Sequence, residues 1–340
     1  MNVLPTRGRP TERRVLYLVS ALFVLAAACL LSLAVGSRTI APGAVLDALV
    51  HGGDSTDAIV VDSMRLPRTV VALLVGASLG VAGACMQGLT RNPIAEPGIL
   101  GISNGAATGV VTAISVFGVT SLTGYVWFGF AGALCTGVLV YAVAARGRGG
   151  ATPVKLALSG QALAATLGAL ITLVLTTDQG TLDQYRFWLV GSLSGRTDEV
   201  AWRMLPFVGV GMLLVAGTAR GLDALALGDD VAKGLGHKVN RIRVIGGLGA
   251  TVLTGVAVAA TGPISFVGLA VPHAARALVG SDHRWVLAMS ALLAPILLLV
   301  ADVLGRIIFP PAEVEVGAMT ALIGVPILVV LVRRKPVVSG

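Results

Sequence analysis

Two apolar runs long enough to cross a membrane are separated only by a polar joint, residues 87–98, that contains two prolines and two glycines. The joint constrains the fold more than any other feature of the sequence. Prolines and glycines interrupt helices, and each backbone group left unpaired in lipid costs several kcal/mol. The joint therefore predicts an interior lined by protein or water, with a polar molecule that moves nearby.

The composition is that of an integral membrane protein. The 340 residues are 55% hydrophobic and 12% charged, with a mean hydropathy of +0.88. Soluble domains carry roughly 25% charged residues, so the sequence predicts an all-α, multi-pass membrane protein and excludes a soluble enzyme. The net charge is +8, but Lys and Arg are spread along the loops rather than packed into one stripe, so nucleic-acid binding is not expected.

About ten stretches reach the length of roughly 20 apolar residues that a membrane-spanning helix requires. They lie near residues 15–35, 67–90, 97–118, 124–145, 154–177, 200–220, 242–262, 265–279, 283–305 and 315–332. The first stretch is longer than a usual signal-peptide core, so we expect a retained helix. The sequence thus predicts one transmembrane domain, residues 15–335, between an N-terminal tail of residues 1–14 and a C-terminal tail of residues 336–340.

The distribution of basic residues predicts the orientation of the chain. With both termini in the cytoplasm, all but seven of the 25 Lys and Arg residues lie on the inner side. The seven on the outer side are Arg38, Arg65, Arg68, Arg186, Arg196, Arg203 and Arg306. Because inner loops carry the excess of Lys and Arg, this bias supports an even number of crossings in the cytoplasmic membrane.

A short internal similarity suggests an inverted repeat. Residues 93–99 and 263–269 share the pattern Pro-Ile-x-x-x-Gly-Ile/Leu at an offset of 170 residues. The predicted topology places the two segments on opposite sides of the membrane, as an inverted repeat requires. Chance remains an alternative for so short a match.

The longest inner loop, residues 221–241, contains the pattern of a short helix outside the membrane. An aspartate at 229 or 230 can cap this helix, and Val231 and Leu235 form its apolar face. Glycines at 234 and 236 can end it. Such a helix suits docking to a soluble partner, although a plain connector would show the same spacing. No Gly-x-x-x-x-Gly-Lys-Ser/Thr phosphate loop occurs in the chain, so ATP hydrolysis by that route belongs to another chain.

Several of these segments together resemble one known family, the FecCD-type permeases. The segments are Arg65–Arg68, Gly83–Gly88, Asn92–Gly101, Ser103–Gly105, Gly228–Gly236 and Gly262–His273. The resemblance extends over about residues 15–335. Members of this family are the membrane subunits of ABC importers for iron siderophores, haem and cobalamin. The resemblance implies the type II ABC importer permease fold, with ten transmembrane helices.

The same resemblance implies the partners of the chain. We expect a second permease subunit, identical or related, two cytoplasmic ABC ATPases and an extracytoplasmic substrate-binding protein. ATP and Mg²⁺ would bind to the ATPases, and no cofactor would bind to this chain. Closure of the ATPases would switch a path between the permease subunits from outward to inward access. Coupling to the ATPase would fall to Leu227, Gly228, Asp229, Asp230, Val231, Ala232, Lys233, Gly234, Leu235 and Gly236.

Three arginines at predicted outer ends of spans match family positions that grip acidic residues of the binding protein. They are Arg65, Arg68 and Arg306. A guanidinium can bind a carboxylate with two hydrogen bonds, which suits such docking. Two alternatives are snorkelling to lipid headgroups and, for Arg306, a pair with Asp302 one helical turn earlier.

Polar residues near the inner ends of spans are candidates for the translocation path. They are Gln87, Asn92 and Asn104. The resemblance places the inner gate at the turn before the fifth span, which is Ala151, Thr152 and Pro153 in this chain. Relatives often have small hydroxyl residues in that turn, and Pro153 departs from this pattern.

Other titratable residues predict no catalytic or metal site. Glu96 is a candidate proton carrier, but a helix cap or a partner of Arg91 explains it as well. A lone His273 is a weak candidate for an iron ligand, since no second ligand stands at a suitable spacing. The three cysteines lie in apolar runs, at spacings that predict neither a disulfide nor a zinc site.

The sequence therefore predicts the permease of an iron-siderophore importer. Haem and cobalamin are alternative substrates, and the outer segment 184–196 resembles siderophore permeases more than cobalamin permeases. An ion-coupled secondary transporter also uses broken helices, but it needs paired acidic residues at the midplane of the membrane. A membrane-embedded enzyme needs clustered His and carboxylates, whereas the four histidines are scattered.

Overall fold

The computed structural model describes residues 11–36, 38–119, 121–146, 151–310 and 312–333, and this part of the chain is helical, with no strands. The predicted all-helical architecture is confirmed. The two tails lie largely outside the described residues. In chain order the helices are α1 Thr11–Ala34, α2 Pro42–His51, α3 Thr56–Val60, α4 Leu66–Thr90, α5 Ile102–Ser115, α6 Leu122–Ala145, α7 Pro153–Thr177, α8 Gln179–Leu189, α9 Asp198–Ala226, α10 Asp229–Gly234, α11 Val239–Thr261, α12 Val267–Val279, α13 His283–Ile308 and α14 Val316–Arg333.

A helix occupies each of the ten predicted spans. Seven helical stretches of the described chain are long and apolar enough to cross a membrane, judged by length and composition. They are Thr11–Ala34, Thr56–Thr90, Gly124–Ala145, Pro153–Thr177, Asp198–Ala226, Val239–Thr261 and His283–Ile308. The apolar stretches Val267–Val279 and Val316–Val330 are shorter, and α5 has only 14 residues. At 1.5 Å per residue, α5 covers about 21 Å of a hydrocarbon core that is about 30 Å thick.

Helix α4 forms the centre of the bundle. It continues from α3 through a π-helical turn, Val61–Arg65, so that one helical stretch runs from Thr56 to Thr90. Most of its residues are buried against α9, α11, α12 and α13. Gly76 and Gly80 face backbone atoms of α13, where an added Cβ would overlap, so the glycines permit this close packing.

The last part of the polar joint, from Ala95, enters the bundle, whereas Arg91, Pro93 and Ile94 stay exposed at its end. A 3₁₀ turn, Pro97–Leu100, precedes α5, and Gly101 adopts a left-handed conformation with φ of 69°. The predicted span 97–118 therefore begins as a helix only at Ile102. The connector between α11 and α12 also turns sharply, at Phe266 with φ of 68°.

The two similar segments, 93–99 and 263–269, lie next to each other. Residues of both line one cavity of about 40 Å³: Glu96, Pro97, Gly98, Pro263, Ile264, Ser265 and Gly268. The shared cavity shows that the two connectors approach each other within the bundle. Their predicted location on opposite sides of the membrane stays a prediction. The inverted repeat itself stays a prediction.

The predicted inner loop 221–241 is also shorter than expected. Helix α9 continues to Ala226 and α11 begins at Val239, so only residues 227–238 connect them. The extra turn of α9 is stabilised because Leu222 and Leu225 are fully buried. Two further helices, α2 and α8, were not predicted, since neither has the length of a span.

Candidate functional site

A polar cavity of about 340 Å³ lies at the end of the bundle where α4 begins, and we call it the Arg68 cavity. It is formed by the π-helical turn, the start of α4, the connector from α8 to α9 and the end of α13. Its lining residues are Gly36, Val60, Ser63, Met64, Arg65, Arg68, Ser194, Gly195, Arg196, Thr197, Arg306 and Glu313. All three predicted docking arginines are therefore brought together in one cavity, with a fourth, Arg196.

Arg68 is held by two carboxylates. Its Nη2 lies 2.7 Å from Asp302 Oδ1, and its Nε lies 3.1 Å from the same atom. Its Nη1 donates to Glu313 Oε2 at 2.8 Å. Asp302 is 1% exposed, so its hydrogen bonds with Arg68 form away from water and the pair is charge-compensated, whereas the bond to Glu313 is exposed.

Arg65 and Arg306 bind the end of α1. Arg65 Nη1 donates to the carbonyl of Leu33 at 2.7 Å, and Arg306 Nη1 donates to that of Ser32 at 2.9 Å. The last carbonyls of a helix have no partner within the helix and attract cations, so both arginines cap α1. Arg306 also forms an ion pair with Asp302, as the local alternative predicted. Both guanidiniums thus have partners within the chain, and their role in docking stays a prediction.

Arg196 was not selected from the sequence as a site residue. It follows Gly195, whose φ of 67° turns the connector between α8 and α9 toward the cavity. The residue is 8% exposed, and its buried Nε has no hydrogen-bond partner. Burial lowers the pKa of its guanidinium from the ordinary value. The sequence shows Arg196 only as one of seven basic residues on the outer side, and nothing in the pattern distinguishes it.

The other end of the bundle carries α10, the predicted coupling helix. Leu227, Val231 and Leu235 are 64%, 49% and 62% exposed, whereas Ala232 on the opposite face is fully buried. Gly236, with φ of 83°, follows the helix and forms the turn that ends it. The predicted short helix is present, and it presents an exposed apolar face.

The predicted aspartate cap of α10 takes a different form. The residue before the helix is Gly228, and no side chain caps the first turn. Asp229 instead accepts a hydrogen bond from Arg243 at 2.9 Å and lies 3.5 Å from Arg91. Because Arg243 belongs to α11 and Arg91 follows α4, this triad fixes α10 to two helices of the bundle.

A second polar cavity, of about 320 Å³, lies at the same end, and we call it the Arg276 cavity. Its lining residues are Gln87, Gly88, Arg91, Pro93, Ala226, His273, Arg276, Ser281 and His283. Gln87 accepts a hydrogen bond from Arg276 and donates to the carbonyls of Gly268 and Leu269 at 3.4 and 3.3 Å. Gln87 therefore joins α4 to both ends of the short helix α12.

Both histidines of this cavity form hydrogen bonds within the chain. His283 Nδ1 lies 2.7 Å from Asp223 Oδ1, and His273 Nδ1 lies 3.1 Å from the carbonyl oxygen of Leu269. No group of three or more His, Cys, Asp or Glu suited to a metal ion occurs in the part of the chain that the structure describes.

The remaining predicted path residues lie apart and have separate partners. Asn104 Nδ2 donates to the carbonyl of Ala164 at 2.9 Å, which ties α5 to α7. Asn92 Oδ1 accepts from the amide of Ile94 at 3.1 Å and stabilises the turn after α4.

The predicted gate residues form the start of α7. Ala151 is buried, and the Thr152 hydroxyl accepts a hydrogen bond from the amide of Lys155 at 3.4 Å, as the cap of the helix. Pro153 is the first residue of α7, a position that suits proline because no amide hydrogen is needed there. The departure from the family pattern at Pro153 thus has a local role in starting the helix.

Glu96 has neither of the two structural partners expected for it. Arg91 pairs with Asp229, and the Glu96 side chain caps no amide of the following 3₁₀ turn. Its carboxylate lines the 40 Å³ cavity between the two similar segments.

The comparisons with known proteins agree on one family, and they cover most of the chain. Residues 24–334 match the FecCD transport family. The chain is 43% identical over 332 residues to the ferric enterobactin transport system permease protein FepD of Escherichia coli, with 96% of this chain and 98% of that protein covered. It is 40% identical over 335 residues to the iron(3+)-hydroxamate import system permease protein FhuB of Bacillus subtilis, with coverage of 96% and 85%.

Two further similarities bear on substrate and fold. The chain is 40% identical over 290 residues to the cobalamin import system permease protein BtuC of Halobacterium salinarum, with coverage of 85% and 77%. A solved structure described as a metal-chelate-type ABC transporter in an inward-facing conformation superposes with a TM-score of 0.84 at 29% identity. That superposition covers 94% of this chain and 99% of the other.

Proposed function

The chain belongs to the FecCD transport family, the permease subunits of ABC importers, and we propose that it carries an iron(III)–siderophore chelate across the cytoplasmic membrane. It is a membrane permease subunit rather than an enzyme. The observation that carries the substrate proposal is the full-length similarity to the enterobactin and hydroxamate permeases, at 43% and 40% identity. A large polar chelate needs a wide, weakly binding path, which fits site residues that are dispersed rather than clustered.

The proposed assembly contains four further subunits or partners. A second permease subunit, identical or related, completes the path, and two cytoplasmic ABC ATPases bind ATP and Mg²⁺. An extracytoplasmic protein delivers the chelate. ATP-driven closure of the ATPases then alternates the access of the path between the two sides of the membrane.

The exposed face of α10 is the proposed contact with the ATPase. Leu227, Val231 and Leu235 would bury apolar area against the partner, and apolar burial contributes roughly 25 cal/mol per Å². The triad of Asp229 with Arg91 and Arg243 would transmit the movement of α10 to α4 and α11. A plain connector would need no rigid attachment to the bundle. The triad therefore favours a coupling role for α10.

The Arg68 cavity is the proposed contact with the extracytoplasmic binding protein. This assignment places the start of α4 outside and both chain termini in the cytoplasm, as the bias of basic residues predicts. Arg65, Arg68 and Arg306 shape the cavity and give it positive potential, which favours an acidic partner.

The proposed path runs along the permease interface. Helix α7 supports this location, since its apolar residues Leu158, Leu170 and Leu173 are exposed in the single chain. Asn104 ties α5 to Ala164 of α7, the helix that begins at the gate residues, so a shift of α7 would move both. Gln87 and Asn92 would lie at the inner end of the path.

Cobalamin is the second candidate substrate, favoured by 40% identity to the Halobacterium cobalamin permease over 85% of this chain. Haem is a third candidate within the family. The match to the enterobactin permease covers 96% of this chain, and we therefore place iron siderophores first.

Uptake measurements in cells with and without the chain test the proposal. Radiolabelled iron is presented as catecholate, hydroxamate and citrate chelates and as haem, with labelled cobalamin in parallel. We expect deletion to abolish uptake of a ferric siderophore and the gene to restore it. Loss of cobalamin or haem uptake alone would contradict the substrate proposal and leave the family membership unchanged.

A further inference from the structure

We propose that a groove between α9 and α13 binds an anionic phospholipid, whose phosphate contacts Arg220 and Arg284 and whose acyl chain lies along the groove. The inference goes beyond the proposed function, because it concerns the membrane around the chain and holds whichever chelate is carried. We call this feature the Arg284 groove.

The Arg284 groove is an apolar depression of about 300 Å³ on the side of the bundle. Ala216 and Ala219 of α9 line one side, Ala288 and Ala291 of α13 line the other, and the buried Val81 of α4 forms the floor. Arg284 is the charged residue among those that line it. Apolar surface left open in a membrane-spanning bundle is covered by lipid or by another helix.

The length of the groove matches the depth of one membrane leaflet. Arg284 and Ala291 are seven residues apart in α13, as are Met212 and Ala219 in α9, and all four line the groove. Seven residues of helix cover about 10 Å, and one leaflet contributes about 15 Å of hydrocarbon. The groove therefore extends through most of one leaflet, along the course that an acyl chain takes.

Two guanidiniums stand at one end of the groove. Arg284 lines it near the start of α13, and Arg220 follows Ala216 by one turn on the same face of α9. This is the end of the bundle that carries α10. Both arginines are exposed, and neither side chain forms an ion pair or a hydrogen bond among the described residues. Both are therefore free to bind a headgroup at the membrane surface.

The carboxylates near these arginines are engaged elsewhere. Asp223 binds the amide and the ring of His283 at 2.9 and 2.7 Å, and Arg284 acts on it electrostatically. Asp282 lies 3.5 Å from Arg14 and accepts a hydrogen bond from the amide of Arg284 at 3.0 Å. Arg14 and the two groove arginines thus outnumber the two carboxylates, and the excess positive charge favours an anion.

An anionic phospholipid satisfies both the apolar and the basic part of the site. Its phosphate accepts hydrogen bonds from the forked guanidinium, and its acyl chain covers the alanines of the groove. Basic pockets between transmembrane helices select anionic headgroups, because a zwitterionic headgroup carries its own cation. The proposed permease interface involves α7, which packs against α5 and α6, so the two surfaces are formed by different helices.

Native mass spectrometry of the purified full-length chain tests the inference. The chain is released from neutral detergent micelles with known amounts of phosphatidylglycerol or phosphatidylcholine. We expect one phosphatidylglycerol to bind on the order of tenfold more tightly than phosphatidylcholine. Arg220→Gln together with Arg284→Gln should remove most of this preference. Lys238→Gln together with Arg241→Gln is the matched control, since it removes the same charge at the start of α11, and it should leave the preference unchanged.

A second pair of variants tests the groove itself. Ala216→Phe fills the groove while both arginines remain, and it should lower the affinity for phosphatidylglycerol by on the order of tenfold. Leu213→Phe is the control, because Leu213 is 75% exposed on α9 and does not line the groove. It should leave the affinity unchanged.

Three outcomes would overturn the inference. The first is equal affinity of the wild type for the two lipids, and the second is an equal loss in the groove variants and their controls. The third is that Ala216→Phe separates a two-copy complex and leaves lipid binding unchanged, because a second copy of the chain would then occupy the groove. These measurements use no chelate, so their failure would leave the proposed function unchanged.

Discussion

The two cavities at the ends of α4 have nearly the same volume, about 340 and 320 Å³, but their charges are arranged differently. In the Arg68 cavity, carboxylates and helix carbonyls occupy three of four guanidiniums. In the Arg276 cavity no carboxylate is among the lining residues, and Arg276 has a neutral partner, Gln87. A count of basic residues therefore does not show which guanidiniums already have partners within the chain.

The difference between the two ends predicts different consequences of mutation. Side chains of the Arg68 cavity hold α1, α4 and α13 together, so changes there should lower stability. The other end presents α10 and half-exposed charges, so changes there should affect coupling more than folding. Four variants test this difference between the two ends, beginning with the largest expected effect.

Asp302→Asn should have the largest effect on stability. It leaves Arg68 and Arg306 without their shared buried carboxylate, which should lower the free energy of unfolding by about 3–5 kcal/mol. Unfolding of the purified chain in mixed detergent micelles measures the change. Glu313→Gln is the control, because that carboxylate is 31% exposed and its one ion pair among the described residues is with Arg68, and it should cost less than about 1 kcal/mol. Equal losses in the free energy of unfolding for the two variants would contradict the predicted difference between the buried and the exposed carboxylate.

At the end of the bundle that carries α10, Gly236→Pro should cause the largest loss of uptake. Gly236 has φ of 83°, whereas proline is restricted to a φ near −65°, so the turn after α10 must change. We expect siderophore uptake to fall by more than about tenfold while the chain stays in the membrane. Gly234→Pro tests the last turn of α10 in the same way. Unchanged uptake in both variants would contradict the coupling role of α10.

Val231→Asp should lower uptake less than Gly236→Pro, and it tests the exposed apolar face of α10 separately from the fold of the helix. The side chain is 49% exposed and the helix can form with aspartate, so the substitution places a charge on the apolar face. Uptake should fall by on the order of tenfold, with less than about 1 kcal/mol lost in stability. Lys238→Ala, an exposed position just after the coupling residues, should leave uptake near the wild-type level. The same loss in both variants would argue for a general effect on α10.

Arg276→Gln should have the smallest effect on stability. The guanidinium donates to Gln87 and has no acidic partner among the described residues, so its loss should change the free energy of unfolding by less than about 1 kcal/mol. Arg68→Gln should cost about 2 kcal/mol or more, because it leaves Asp302 with a single partner. A larger loss for Arg276→Gln than for Arg68→Gln would reverse the comparison between the two cavities.

Local patterns in the sequence predicted much of the fold. A helix lies at each of the ten stretches predicted from apolar length, and seven helical stretches of the described chain are long and apolar enough to cross a membrane. The spacing of Val231 and Leu235 located α10. The pair of Arg306 with Asp302 was also a local prediction, since i and i+4 residues meet on a helix. The family resemblance identified the fold class, which the comparisons confirmed.

Contacts between distant residues were not predictable in the same way. Arg68 and Asp302 are 234 residues apart, and no local pattern indicates that they meet. The depth of the polar joint depends on the length of α5, and apolar length predicted a longer helix there, 97–118 instead of Ile102–Ser115. Arg196 was missed for the same reason, because the other residues that line its cavity come from distant parts of the chain.

The most direct test of the central claim is the energy source of uptake. The claim is that the chain imports a ferric siderophore as the permease of an ATP-driven assembly. Uptake of the labelled chelate is measured in cells depleted of ATP while the membrane potential is maintained, and in cells treated with a protonophore while ATP is maintained. We predict that ATP depletion stops uptake and that the protonophore leaves it largely intact. Uptake that continues without ATP and stops with the protonophore would contradict the account and identify an ion-coupled transporter.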